Sequence, residues 1–228
     1  MGASQVSKNV EVVRRKVADR CLKNGVDPAT ITLVGITKTF PPQIVEEGLR
    51  AGLTDVGENK VQEALTKIAR VTPRPIWHMV GHLQKNKAKK AVELFDIIQS
   101  IDDTELAQLI SKHAAEIDRK LTIYLQVNSS FELQKSGFDP GEILDVIPQI
   151  QRLPNLDIAG LMTIGPMTDD INKIAKSFAL TRNLFERIQK NLGAGFNKLS
   201  MGMSGDYELA LDHGANVLRI GTAIFGAR

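Results

Sequence analysis

Short apolar runs alternate with amphipathic stretches along the whole chain, and this alternation limits the fold more than any other feature of the sequence. Eight runs have the length of buried strands: residues 31–36, 54–56, 76–80, 96–99, 121–127, 156–163, 198–201 and 216–220. Helical spacing of Leu, Ile, Val and Ala marks residues 5–24, 42–51, 58–70, 104–118, 141–151, 170–192 and 206–213. Such alternation is typical of a mostly parallel sheet covered by helices.

Eight strands with intervening helices predict a single (β/α)8 TIM barrel in the α/β class. The 228 residues are close to the lower size limit of that fold. A doubly wound open sheet is the alternative, because both folds bury parallel strands beneath helical crossovers. No Pro-, Ser- or Gly-rich linker divides the chain, so we predict one domain over residues 1–228.

Several helix starts carry recognisable signals. Pro41 and Pro42 lie where a first helical turn tolerates proline, and Asp102 precedes Glu105 in the spacing of a capping box. Ser204 precedes the last full helix. These signals predict where the connections cross from strand to helix.

Composition excludes several classes of protein. No segment reaches the roughly 18 uncharged apolar residues of a membrane span. The single cysteine, Cys21, cannot form an internal disulfide, so we expect a cytoplasmic protein. The net charge of +3 is mild and does not by itself indicate nucleic acid.

Two sets of polar residues, four lysines and two histidines, are only weak indications of a binding site. Lys85, Lys87, Lys89 and Lys90 are interpreted as a solvated helix face, because aromatic residues for base stacking are scarce nearby. His78 and His82 are four residues apart but flank the end of a strand, so they do not share a helical face and no metal site is expected.

Lys38 follows the first predicted strand, where functional groups of a parallel α/β protein gather. Apolar neighbours at a barrel mouth would lower the pKa of its amine and make it a nucleophile toward carbonyl groups. That is the requirement for a Schiff base. The alternative is an ordinary solvated loop lysine.

The loops after the last two strands, residues 199–206 and 219–223, combine small residues, hydroxyls and backbone N–H groups. A TIM barrel commonly binds phosphate at these two loops. Arg219 lies within a strand between Leu218 and Ile220, so an inward side chain needs an acceptor, either a structural carboxylate or a ligand atom.

Taken together, these segments resemble the pyridoxal 5′-phosphate (PLP) homeostasis proteins, which are related to the N-terminal barrel of alanine racemase and to the fold type III PLP proteins. The resemblance rests on residues 33–39 (LVGITKT), 56–63 (VGENKVQE), 77–87 (WHMVGHLQKNK), 135–138 (KSGF), 160–164 (GLMTI), 199–206 (LSMGMSGD) and 217–228. It covers nearly the whole chain, and the ordered set is highly specific.

The resemblance implies a role for each residue of the site. Lys38 would carry PLP as a Schiff base, and Arg219 would face the pyridine nitrogen. The phosphate would be held by Ser200, Ser204, Gly221 and Thr222. The cofactor would be lined by Asn59 and Met162, and Lys135 would approach it as a second lysine.

An arginine at the pyridine nitrogen keeps that nitrogen unprotonated and the ring a weak electron sink. The tyrosine that a second domain supplies in alanine racemase has no motif match in Tyr124 or Tyr207, and the chain ends at Arg228, so we expect that domain to be absent. The resemblance therefore implies a monomeric PLP carrier for vitamin B6 homeostasis, without robust catalysis, that serves PLP-requiring apoenzymes.

Three other functions stay open at this point. They are a PLP-dependent amino-acid racemase of low activity, a PLP-independent aldolase that forms a Schiff base with a phosphosugar, and a binding module acting through the basic cluster.

Overall fold

The computed structural model describes residues 4–132 and 134–227, and the rest of the predicted domain lies outside the described residues. The strands are β1 Thr32–Ile36, β2 Asp55–Glu58, β3 Ile76–Met79, β4 Ile97–Ile101, β5 Leu121–Gln126, β6 Leu156–Met162, β7 Lys198–Ser200 and β8 Val217–Ile220. The α-helices are α1 Gln5–Lys23, α2 Pro42–Arg50, α3 Val61–Lys67, α4 Ala88–Leu94, α5 Thr104–Glu116, α6 Ile143–Gln151, α7 Ile171–Leu192, α8 Tyr207–Asp212 and α9 Thr222–Phe225. Short 3-10 turns occupy Pro28–Thr30, Ile68–Arg70 and Lys85–Lys87.

The described strands pair in sequence order and close into a parallel barrel. Closure occurs where β1 pairs with β8, with Gly35 opposite Ile220. On its other side β1 pairs with β2, with Ile36 opposite Gly57. A doubly wound open sheet has two free edges, so the prediction of a (β/α)8 barrel is confirmed and the open sheet is excluded.

The barrel separates two hydrophobic clusters. The larger one lies between the strands and the helices and contains outward side chains such as Trp77 and Leu161. The smaller one fills the barrel interior and includes Val34, Tyr124 and Met162. This division follows from the period of two along each strand, which sends successive side chains to opposite faces.

Helix α1 is fastened to elements from the other end of the chain. Its N-cap is Ser4, whose hydroxyl accepts a hydrogen bond from the backbone N–H of Ser7. Asn9 Nδ2 donates to the carbonyl of Ile224 over 2.8 Å, and the Arg20 guanidinium pairs with Asp212. These contacts hold α1 against α8 and α9.

Local boundaries differ from the prediction at several places; helix α4 was not among the predicted helical stretches, and β4 continues to Ile101. Strand β2 extends to Glu58, which the periodicity placed at the start of a helix. The N-cap of α5 is Asp103 rather than Asp102, because the Asp103 carboxylate accepts from Leu106 N while Asp102 contacts His82. A short helix, α9, follows β8. None of the described helices combines the length and apolarity that crossing a membrane requires.

Candidate functional site

Lys38 lies at the carboxyl end of β1, between the ends of β2 and β8. The hydrogen bonding between β1 and β2 continues one residue past the end of β1, because Thr37 N donates to Gly57 O at a distance of 3.0 Å. Gly221 also lies beside β1, since a Cβ built on it would be 3.6 Å from Ile36 Cβ. The half-buried Lys38 is thus placed between the Asn59 loop and the loop that follows β8.

A buried ion pair anchors the residue before Lys38. Glu58 and Lys67 are both buried, and the Lys67 amine contacts the Glu58 carboxylate and donates to Thr37 O over 2.7 Å. The Thr37 hydroxyl donates to Glu58 Oε1 over 2.6 Å. The backbone that carries Lys38 is therefore fixed from α3 and from β2.

The loops after β7 and β8 meet at Ser204. Its hydroxyl oxygen accepts from the backbone N–H groups of Gly221 and Ala223, each at 3.2 Å. Gly202 has a φ of +91°, and a Cβ there would lie 2.6 Å from Ala210 Cβ, so only glycine allows this turn. The two loops predicted as a phosphate site are therefore adjacent, and Thr222 is exposed where α9 begins.

Arg219 points into the barrel and is 4% exposed. Its Nη1 donates to Ser200 Oγ over 2.6 Å and its Nη2 to Thr163 O over 2.7 Å. Both acceptors are uncharged, and no ion pair of Arg219 with a carboxylate occurs among residues 4–132 and 134–227. Burial lowers the pKa of Arg219 to about 10, partly offset by the charge of Asp206.

Ser200 is fully buried beneath the mouth. Its hydroxyl donates to Gln99 Oε1 over 2.6 Å and accepts from Arg219. The two hydrogen bonds connect Ser200 with the inside of the barrel. Its predicted contact with a phosphate stays a prediction.

Asn59 and Met162 occupy different depths. Met162 is fully buried inside the barrel, whereas Asn59 is half-buried at the end of β2. The backbone at Asn59 packs closely on Gly81, where a Cβ would lie 2.3 Å from Asn59 O. Glycine at position 81 thus sets the position of the Asn59 loop.

Lys135 lies on the opposite side of the mouth, in the loop after β5. Its amine donates hydrogen bonds to Glu132 Oε1 and to Gly165 O, and each donor–acceptor distance is 2.7 Å. Lys135 also lines a cavity of about 130 Å³ together with His82 and Gln126. This lysine therefore borders the mouth while paired with a carboxylate.

The two histidines have separate environments. His78 is buried inside the barrel against Asp55, and His82 lies at the rim, 2.8 Å from Asp102. No group of three or more His, Cys, Asp and Glu side chains with metal-binding geometry occurs in the described part of the chain.

In the basic cluster, Lys89 and Lys90 lie on α4, as predicted for a helix face, whereas Lys85 and Lys87 lie on the 3-10 turn before it. Three of the four lysines form ion pairs: Lys85 with Asp103 and Glu105, Lys89 with Glu116, and Lys90 with Glu93. Much of its positive charge is therefore balanced.

Several contributors to the site were not predicted from the sequence, among them Gln99, the Thr163 carbonyl and the Glu58–Lys67 pair. Gln99 is fully buried on β4 and bridges Ser200 and His78. The available signal was a glutamine within an isoleucine-rich run that forms a buried strand, since a buried amide requires partners.

The comparisons with known proteins agree with the geometry. A family model for the alanine racemase N-terminal domain matches residues 42–228. The pyridoxal phosphate homeostasis protein of Pseudomonas aeruginosa is 38% identical over 226 residues, which cover 99% of this chain and 96% of the relative.

Solved structures share the fold. PipY of Synechococcus elongatus with PLP bound matches with a TM-score of 0.80 at 36% identity, over 92% of this chain and all of PipY. Alanine racemase of Clostridium difficile matches with a TM-score of 0.73 at 15% identity, over 94% of this chain and 56% of that one. The second likeness concerns the barrel fold alone.

Proposed function

The chain belongs to the pyridoxal phosphate homeostasis protein family, and from that premise we propose that it binds PLP and serves as an intracellular PLP reserve. One observation carries the proposal. A lysine at the end of β1, a buried arginine on β8 and the joined loops after β7 and β8 share one mouth of the barrel. An aldehyde, a pyridine nitrogen and a phosphate on one small molecule match these three features.

Lys38 is the residue we propose to hold PLP as a Schiff base. A nucleophilic amine must be presented at a defined position, and the Glu58–Lys67 pair fixes the adjacent Thr37 backbone. Asn59 and Met162 would border the cofactor from β2 and β6.

Arg219 suits an unprotonated pyridine nitrogen. Its guanidinium is buried on uncharged acceptors, so a neutral nitrogen acceptor fits it without displacing a carboxylate. PLP supplies electron-sink chemistry when bound, and that chemistry is weak when the ring nitrogen carries no proton. We therefore propose a carrier without robust catalysis.

Ser204, Gly221 and Thr222 are the residues proposed to hold the phosphate. The Ser204 hydroxyl and the backbone N–H groups at the start of α9 lie together, and the 3.2 Å bonds between them are at the long end of the usual range. An anion with stronger acceptor oxygens can compete for these donors.

Spectroscopy and chemical trapping test the proposal. Purified protein mixed with PLP should gain the near-visible absorbance of a Schiff base, and borohydride should fix the mass of the cofactor on a peptide that contains Lys38. Lys38→Ala should abolish the adduct. Lys60→Ala is the matched control, because it removes an exposed amine from the neighbouring loop.

An adduct of the same yield in Lys38→Ala contradicts the assignment of the lysine. Trapping that occurs only with a sugar phosphate, in a colourless protein, would favour the aldolase instead. Transfer is tested by mixing the loaded protein with a PLP-requiring apoenzyme, whose activity should recover with wild type and not with Lys38→Ala.

Racemisation is the second candidate, because the matching family model describes an alanine racemase domain. Burial raises the pKa of both Tyr124, inside the barrel, and Tyr207, on α8, so neither phenol is poised for proton transfer. We expect loss of α-deuterium from alanine at about the rate with free PLP. A much faster, Lys38-dependent loss would favour the racemase.

A further inference from the structure

A chain of hydrogen bonds crosses the interior of the barrel from β2 to β8. We call it the interior chain, and its members are Asp55, His78, Gln99, Ser200 and Arg219. The successive distances are 2.9 Å from Asp55 Oδ1 to His78 Nε2, 2.8 Å from His78 Nδ1 to Gln99 Nε2, 2.6 Å from Gln99 Oε1 to Ser200 Oγ and 2.6 Å from Ser200 Oγ to Arg219 Nη1. Each member is at most 7% exposed.

The Asp55 carboxylate and the Arg219 guanidinium set the direction of the interior chain. A carboxylate only accepts, so His78 Nε2–H donates to Asp55. A neutral imidazole with its proton on Nε2 accepts at Nδ1 from the NH₂ group of Gln99, and the Gln99 oxygen then accepts the hydrogen of Ser200. Ser200 Oγ in turn accepts from the Arg219 guanidinium, which only donates.

Such a chain costs free energy unless every member is satisfied, and TIM barrels usually fill this space with apolar side chains. Gln99 is also held at an irregularity of β4, where the register with β5 shifts between Ile98 and Ile101. Shifts of this kind redirect side chains, often beside functional sites. Apolar packing alone explains neither feature.

We infer that Gln99, supported by His78 and Asp55, is a positioning residue that orients Ser200 and through it the Arg219 guanidinium at the mouth. The Ser200 hydrogen is directed at Gln99 Oε1, so in this role Ser200 supports Arg219 instead of donating to a phosphate. The inference concerns the site proposed for PLP and therefore rests on the proposed function.

The first test needs no cofactor. In protein free of PLP, imidazole nitrogen NMR should show the proton of His78 on Nε2 and none on Nδ1. Gln99→Glu places a carboxylate opposite Nδ1 and should add a proton there. Observation of the Nδ1–H tautomer in wild type would overturn the inference.

The second test measures PLP affinity. Gln99→Met keeps the shape and removes both hydrogen bonds, so Ser200 and Arg219 lose their support, and we expect the dissociation constant to rise about tenfold. Gln99→Glu retains the acceptor for Ser200 and should bind more tightly than Gln99→Met. Ser100→Ala is the matched control, because Ser100 is the next buried residue of β4 and its hydroxyl has no hydrogen-bond partner in the described residues.

The outcomes separate the two proposals. Equal PLP affinity in Gln99→Met and Ser100→Ala overturns the positioning role while the proposed function stands. Absence of a Lys38 adduct in wild type overturns the proposed function, whereas the NMR result still decides the hydrogen-bond assignment. Should Gln99→Met fail to fold, Gln99→Asn provides the same comparison, because its amide is one methylene shorter and no longer reaches both His78 and Ser200.

Discussion

Asp55 and Glu58 lie three residues apart on β2, yet their carboxyl groups have opposite pKa shifts. Burial is the largest influence on both and acts upward. At Asp55 the hydrogen bonds of His78 and Thr54 outweigh it, so the pKa falls below its ordinary value. At Glu58 the effect of burial is larger than that of the hydrogen bonds from Lys67 and Thr37, so the pKa rises above its ordinary value. Glu58 Oε2 has no hydrogen-bond partner in the described residues, which is consistent with the weaker compensation.

The lowered pKa of Asp55 predicts a pH-dependent effect of Asp55→Asn. The ionised carboxylate stabilises the fold above the ordinary pKa of about 3.9, and this stabilisation is lost as pH falls through the lower folded value. At pH 7 we expect Asn to reduce the free energy of unfolding by about 1–3 kcal/mol. Urea denaturation from pH 7 to pH 3 should show the difference shrinking with acid. A constant difference would contradict the assignment.

Ser204 makes a residue-scale prediction about ligand discrimination. Ser204→Ala removes a hydroxyl beside the proposed phosphate and should raise the dissociation constant for PLP about tenfold. Pyridoxal, which lacks the phosphate, should bind the variant and the wild type alike. Equal losses for PLP and pyridoxal would place Ser204 outside the phosphate site.

At the scale of elements, the ends of β2 and β3 are pressed together at Gly81. A Cβ there would meet backbone atoms of Asn59 at 2.3–2.9 Å, and backbone cannot yield as a flexible side chain can. Gly81→Ala should therefore displace the Asn59 loop and lower the free energy of unfolding by about 1–3 kcal/mol. Gly195→Ala is the control, because nothing lies within 4 Å of its Cβ position. Equal urea midpoints for the two variants would contradict this close packing.

The strands were predictable from the sequence, whereas the buried polar contacts between elements were not. The number of apolar runs and their alternation with helical stretches predicted the barrel, although the strands of an open doubly wound sheet have the same pattern. The position of Glu58 was missed, since its partner Lys67 lies nine residues away and a buried ion pair leaves no periodic signal. The same holds for Gln99, whose partners His78 and Ser200 are 21 and 101 residues distant in sequence. The contact between Gln99 and Ser200 in addition joins β4 to β7 across the barrel, and local patterns do not encode such long-range contacts.

At the scale of the whole molecule, the exposed apolar side chains bear on whether the protein forms dimers. Met167, Ile171 and Met203 are 92%, 66% and 39% exposed and line one shallow cavity beside the loops after β6 and β7. A stable interface buries about 800 Å² on each partner, which three side chains do not supply. We therefore expect a monomer in sedimentation velocity at micromolar concentration, with or without PLP. A dimer that Met167→Glu dissociates would contradict this expectation and place the interface at that cavity.

The interior chain also restricts how this barrel can change over evolutionary time. Substitution of His78 alone leaves Gln99 Nε2 and Asp55 Oδ1 without a partner, and substitution of Gln99 alone leaves Ser200 and His78 unsatisfied. Each single step therefore incurs the cost of an unpaired buried group, whereas a joint replacement avoids it. Across many relatives these positions should consequently covary as a group, with lineages that lose one member replacing its neighbours as well.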